Sequence, residues 1–242
     1  MKIRGILFDK DGTILDYART WVPINREAAL HAASGDAALA VELLRAHGQD
    51  PDTGAVVGGS LLVAGSIAEI ADAFAAHLGE RTPANLTPDL DRLFTEGGAK
   101  HAVLLPGVDR TLATLKRRGL RIGVATNDSI GGLKASLQCT GILDLFEFAA
   151  GFDSGHGTKP DPGMALAFCK AVGLEPGEIA VVGDAAHDLA MGRAAQVGLT
   201  VGVLSGTGTA AQLQPLADLM IDSINDLPAQ AQFGKPWWRL FA

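Results

Sequence analysis

The sequence is short of cysteine, aromatics and positive charge. It has 2 cysteines in 242 residues, 5% aromatics with a single tyrosine, and 20 Lys+Arg against 27 Asp+Glu. Cys139 and Cys169 each sit in a helix-like apolar pattern. Two such residues cannot make a disulfide framework, and a reducing compartment is the natural reading. A net charge of −7 argues against a nucleic-acid partner, which needs clustered Lys and Arg to neutralise phosphates. Any anionic substrate must be gripped by local features, because the overall field repels it. Long hydrophobic runs are missing as well. The first apolar run stops at Asp9, too short for a signal peptide, and the uncharged stretches 53–68 and 194–217 are broken by Gly, Ser, Thr or Gln. No membrane span is expected, and the chain reads as cytoplasmic.

What is present is a packed, patterned chain. Apolar residues make up 48% and charged residues 19%, enough for one large domain or two modest ones. Short, continuously apolar runs at 3–8, 121–125, 179–182, 199–204 and 219–221 read as buried strands. Helix-period segments follow several of them, at 130–139, 162–172, 187–195 and 210–216. Such alternation implies a doubly wound, Rossmann-like α/β fold, its parallel sheet covered on both faces. Residues 18–100 break the rhythm. Segments 24–33, 37–46, 67–78 and 88–95 have helical spacing with no strand between them. Thr20 and Pro23 mark the expected start of the first, and Thr87 the cap of the last. The expectation is an α/β core of residues 1–17 and 101–242, interrupted by an all-helical domain over 18–100. Pro106-Gly107 marks the return to the core.

The chemistry concentrates at strand ends. Asp9-Lys10-Asp11-Gly12-Thr13 closes the first strand, with two carboxylates two residues apart that project to one side. Such neighbours repel, so a cation bridges them or one holds a proton. A solvated turn is the plainer alternative. Asp184 ends a second strand and Asp188 follows one helical turn later. Ligands of open parallel sheets bind beyond the carboxyl ends of the strands, so these acids make a hard, oxygen-rich site suited to Mg²⁺. His187 has no second His at ligand spacing and reads as a supporting or surface group. Thr126-Asn127 offers a hydroxyl and an amide to phosphate oxygens, although Asn127 or Asp128 could equally cap the next helix. Lys159 stands before Pro160 and Pro162, which favours a positioned cation over a solvated one.

In this order, D-x-D-G-T, strand-end T-N, K-P and G-D-x-x-x-D resemble the haloacid dehalogenase (HAD) superfamily. Pro106-Gly-Val108, Lys159-Pro-Asp-Pro162 and the helix from Asp188 to Ala195 narrow the resemblance to its phosphoglycolate phosphatase-like branch. It spans residues 6–195, and the helical insertion matches that branch's cap domain. The resemblance implies a Mg²⁺-dependent phosphatase of a small phosphorylated metabolite, such as phosphoglycolate or a sugar phosphate. Asp9 would be the nucleophile and a metal ligand. Asp11 would serve as general acid and base, and ligate the metal through its main-chain carbonyl. Thr126 and the amide of Asn127 would hold phosphate oxygens, and Lys159 would neutralise charge on nucleophile and phosphoryl group. Asp184 would ligate Mg²⁺ with Asp188 in support. Lys10 departs from the apolar residue that many relatives carry there. The uncharged, Gly-rich segment 53–65 matches no substrate-reading element. A monomer or homodimer is expected.

Other readings fare less well. A phosphosugar mutase shares the acid set and differs mainly in its cap; nothing in the cap here shows the water exclusion a mutase needs. A non-catalytic phospho-ligand-binding protein would be expected to have lost one of the acids. A receiver domain would be about half this length. Gly206-Thr-Gly208-Thr-Ala-Ala211 imitates a dinucleotide fingerprint, but too little chain follows for a complete unit, and a tight turn with a helix cap is the plain reading. Trp237-Trp238 reads as an apolar anchor for the C-terminus.

Overall fold

A computed structural model of the chain describes residues 3–234. Six strands lie in one parallel sheet: β1 (Gly5–Phe8), β2 (Arg121–Ala125), β3 (Phe148–Ala150), β4 (Ile179–Gly183), β5 (Leu199–Val203) and β6 (Leu219–Ile221). Their spatial order is β3-β2-β1-β4-β5-β6. The register pairs Phe8 with Val124 on one side and Val182 on the other. Strands in this sheet need apolar side chains on both faces, and β1 shows why. Ile6 and Phe8 face one layer, packed with Leu112, Leu115, Leu133 and Leu137. Leu7, one residue out of phase, packs in the other layer with Met164, Phe168 and Met191.

The helices in chain order are α1 (Tyr17–Ala32), α2 (Ala37–Ala46), α3 (Leu61–Ala64), α4 (Ile67–Leu78), α5 (Leu86–His101), α6 (Val108–Arg117), α7 (Ile130–Cys139), α8 (Gly163–Val172), α9 (Ala186–Ala194) and α10 (Ala210–Leu213). The first five form a block between β1 and α6. Its apolar cluster, with Ile24, Leu43, Phe74 and Leu90 at its centre, draws its buried members from residues 17–94. The block rests on the core where the Ser136 hydroxyl of α7 donates to the Gly98 carbonyl of α5 at 3.3 Å. Ser66 and Glu69 close a capping box on α4, while Asp36 caps α2 through the N–H groups of Ala38 and Leu39. Cys139 and Cys169 are both free thiols. Among the described residues no helix is long and apolar enough to cross a membrane.

Several local expectations need correction. The first helix starts at Tyr17 rather than near Pro23, because the Asp16 side chain accepts the Arg19 N–H at 3.0 Å and caps it. Pro23 lies inside that helix, where the carbonyl losing its partner belongs to exposed Arg19. The last helix of the block is a full sixteen residues with Asn85, not Thr87, at its cap position. The final core helix stops at Leu213 instead of 216. β3, α3 and α6 were not foreseen: the first two are only three and four residues long. Trp237-Trp238 lies outside the described residues.

Candidate active site

Chain order reverses between β1 and β4, which places a crevice at their carboxyl ends. Asp9 leaves β1 and Asp184 leaves β4 on either side of it. Lys159 arrives from the loop before α8, and its ammonium lies 2.5 Å from Asp9 Oδ1 and 2.7 Å from Asp188 Oδ1. All four side chains are buried. Carboxylate oxygens of Asp9, Asp184 and Asp188 lie within 4.8 Å of one another.

One lysine cannot balance three buried acids, and the protonation equilibria divide accordingly. Burial pushes the Asp9 carboxyl up to about 6 against the pull of Lys159, with Asp188 and Asp11 adding to the rise. Asp184 is pushed up to about 8, first by burial and then by the charges of Asp9 and Asp188. Burial acts the same way on Asp188, but the charges of Lys159 and His187 overcome it and hold the carboxyl well below its usual range. Burial opposes the Lys159 charge, yet Asp188 and Asp9 outweigh it and raise its pKa. For His187 burial is likewise outweighed, by Asp188, and the imidazole pKa rises.

Asp188 has little left to offer a metal. Its Oδ1 engages Lys159 and the His187 Nδ1, and its Oδ2 accepts the Ala185 N–H at 3.0 Å. Asp184 is less committed: Oδ2 accepts the Thr207 N–H at 2.8 Å. Glycines make this approach possible. A Cβ at Gly206 or at Gly12 (φ 80°) would run into the Asp184 carboxylate, and one at Gly208 into its carbonyl. The fingerprint-like glycines of the β5 loop therefore serve close approach to Asp184, followed by a Thr209–Gln212 capping box on α10.

Asp11 faces another way. Its Oδ1 accepts the Trp21 indole N–H at 2.6 Å, and its Oδ2 lies 3.1 Å from the Lys10 ammonium. Lys10 is completely buried, 2.7 Å from Asp128 Oδ2 and 4.9 Å from the centre of the Trp21 ring. Lys10 thus bridges two acids beneath an indole of the helical block. Thr126 is buried, and its hydroxyl accepts the Asp128 N–H. The Asn127 side chain clasps the Lys159 backbone: it accepts the Lys159 N–H at 2.8 Å and donates to the Lys159 carbonyl at 3.2 Å. Neither Asn127 nor Asp128 caps α7; the Ser129 hydroxyl does, accepting from Gly132. Sequence reasoning missed Trp21, Thr207 and Phe152, which meet the site only through folding.

Asp9, Asp11, Trp21, Thr126, Asp184 and His187 are among the residues that line a cavity of about 690 Å³ between the sheet and the helical block. A family model for haloacid dehalogenase-like hydrolases matches residues 3–196. The chain belongs to that family. Among curated relatives, phosphoglycolate phosphatase of Escherichia coli K12 is 30% identical, covering 93% of this chain and 91% of its own. An N-acetylmuramic acid 6-phosphate phosphatase of Pseudomonas putida is 29% identical over 80% of this chain and 79% of its own. Within the family the chain falls in the phosphoglycolate phosphatase-like branch. A predicted phosphoglycolate phosphatase from Haemophilus somnus shares the fold with a TM-score of 0.71 at 22% identity, covering 94% of this chain and 97% of that one. A HAD family hydrolase from Deinococcus radiodurans, solved with phosphate and sodium, aligns with a TM-score of 0.66 at 20% identity, covering 94% of each.

Proposed function

We propose that this HAD hydrolase is a Mg²⁺-dependent phosphatase of small phosphate monoesters, working through an aspartyl-phosphate on Asp9. The observation that carries the reading is the Asp9 carboxylate itself, buried at a central strand end in contact with Lys159, with Asp11 in the same cavity. Asp9 and Asp184 offer carboxylate oxygens, and both carboxyls are pushed upward, first by burial and then by the charge of neighbouring acids; that is the character of a hard divalent-cation site. Asp9, Asp184 and the main-chain carbonyl of Asp11 would hold Mg²⁺, with Asp188 fixing Lys159 in support. When bound, the ion supplies positive charge against the phosphoryl oxygens.

An Asp9 oxygen attacks phosphorus, the P–O bond to the leaving group breaks, and the Asp11 carboxyl gives that oxygen its proton. Asp11 then takes a proton from water, whose oxygen attacks the same phosphorus and frees Asp9. Lys159 neutralises the nucleophile and the phosphoryl group, while Thr126 and the Asn127 N–H hold its oxygens. Residues 18–100 act as a cap over the core of 1–17 and 101–242, and the uncommitted outer cavity receives the leaving group.

Label from H₂¹⁸O enters phosphate by either a covalent or a direct-water route, so trapping decides. Turnover is quenched, reduced with borohydride and mapped by mass spectrometry. Modification is expected at Asp9. Its repeated absence under conditions that trap a control aspartyl-phosphate, with Asp9→Asn still active, would leave only direct water attack.

A further inference from the structure

The part of the cavity beyond the acid cluster is chemically one-sided. Trp21, Leu62, Ile67 and Phe94 of the helical block form its wall, and Phe152 faces them from the core. Phe152 is the informative residue. It follows β3, its N–H donates to the Asp128 carbonyl at 3.0 Å, and 47% of it remains exposed. Its exposed ring area lies on the lining of the cavity, available to a bound ligand.

Charge is distributed just as unevenly. Among the described residues no Lys or Arg lines the cavity. The two lysines behind it are fully buried and already committed, Lys159 to Asp9 and Asp188, Lys10 to Asp11 and Asp128. His187 is engaged at Nδ1 by Asp188. On the outer wall the charged side chain is Asp91, an acid. A leaving group with its own anion would lose water there against an apolar wall whose charged side chain is another acid. One with an apolar or aromatic face would gain contact with Phe94 and Phe152 and cover the exposed ring.

We propose that the substrate is a phosphate monoester whose leaving group is uncharged and presents an apolar or aromatic face, and that carboxylate-bearing phosphates such as phosphoglycolate are discriminated against. The inference rests on the phosphatase reading above and narrows it. The selecting residues are Phe94 and Phe152, aided by the absence of Lys and Arg from the described wall.

The test compares benzyl phosphate with phosphoglycolate on the Mg²⁺-loaded enzyme, both esters having poor alcohol leaving groups. Benzyl phosphate is expected to be favoured in kcat/KM by about 100-fold. In Phe152→Ala, an exposed-loop change compatible with folding, the preference for benzyl over methyl phosphate should fall about tenfold. Equal or faster use of phosphoglycolate overturns the inference and leaves the phosphatase reading standing. If none of the three esters is hydrolysed, the phosphatase reading is what fails. Calorimetric binding to Mg²⁺-loaded Asp9→Asn then decides the cavity separately: tighter binding of benzyl phosphate supports it, and equal affinity overturns it.

Discussion

The two sides of the cavity are built on opposite principles. The sheet side crowds Asp9, Asp11, Asp128, Asp184 and Asp188 around Lys10 and Lys159, and each lysine is gripped by two carboxylates. The helical side is a wall of apolar and aromatic groups with an interior of its own. Charge that must be oriented to a fraction of an ångström sits on strand ends, where backbone register fixes it. Contacts that need only shape and apolarity sit on the helices of the block. Trp21 joins the two halves. It stacks on Phe94 within the block, at 6.0 Å between ring centres, while its N–H holds Asp11 in the core.

Changes among the strand-end charges should therefore slow every ester, and changes on the apolar lining, Phe152 included, should mainly re-rank them. The largest effect is expected from Asp9→Asn, which removes the proposed nucleophile: a loss of about 10⁴-fold or more in kcat, the same for benzyl, methyl and glycolate esters. A loss confined to one ester would break the comparison. Asp11→Asn should follow, at about 10²- to 10⁴-fold. An amide cannot donate a proton to the leaving oxygen, so esters of poor leaving groups should suffer most, with the fold retained by circular dichroism. Turnover of such an ester within about threefold of the parent would remove Asp11 from the role of acid.

Lys10→Met is expected to have a smaller effect, about tenfold in kcat, because Lys10 acts through Asp11 rather than on substrate. Its distinguishing sign is coupling. Since Lys10 and Asp11 are in contact, the double variant with Asp11→Asn should be little worse than Asp11→Asn alone. Fully additive losses would show that Lys10 acts independently of Asp11.

These contrasts also explain what the amino-acid order could disclose. Asp9, Asp184 and Lys159 stand out because a buried apolar run or a pair of prolines abuts each charged side chain, a conflict that a plain fold does not need. Continuous apolar β-branched strands such as Ile179–Gly183 are equally plain. β3 hides because three residues, Phe-Ala-Ala, carry no period, and its pairing with β2 comes from the sheet. Pro23 misleads because it usually opens a helix, whereas Asp16 has already done so. Trp21 lies ten residues beyond Asp11 in a helix of ordinary apolar spacing, and only the fold of the block over the core makes them partners. Phe152 and Thr207 are in the same position: their meaning lies in what they face.

The smallest expected effect concerns stability, and its sign follows from the same crowding of acids. Asp184 and Asp9 are pushed up to about 8 and about 6 from an ordinary value of 3.8, so the folded, metal-free protein keeps protons that the unfolded chain gives up. Their contribution to stability is complete below 3.8 and is lost as pH rises through 6 and 8. Asp188 acts in the opposite sense: its carboxylate is held ionised, so its contribution is present above 3.8 and lost as pH falls below it. Metal-free protein should therefore be most stable in mildly acid solution and weaken toward pH 8. A divalent cation binds the deprotonated acids, so Mg²⁺ should raise Tm more at pH 8 than at pH 5, where protons compete for Asp184 and Asp9. At about a hundredfold excess over Kd, the gain at pH 8 should be on the order of 5–10 °C. Thermal unfolding in chelator and in Mg²⁺ across this range measures it, with Phe152→Ala as a control whose Mg²⁺ response should match the parent. A Tm gain that is equal at pH 5 and pH 8 would mean that these acids do not hold the ion, and would separate metal binding from the charge-dense side of the cavity.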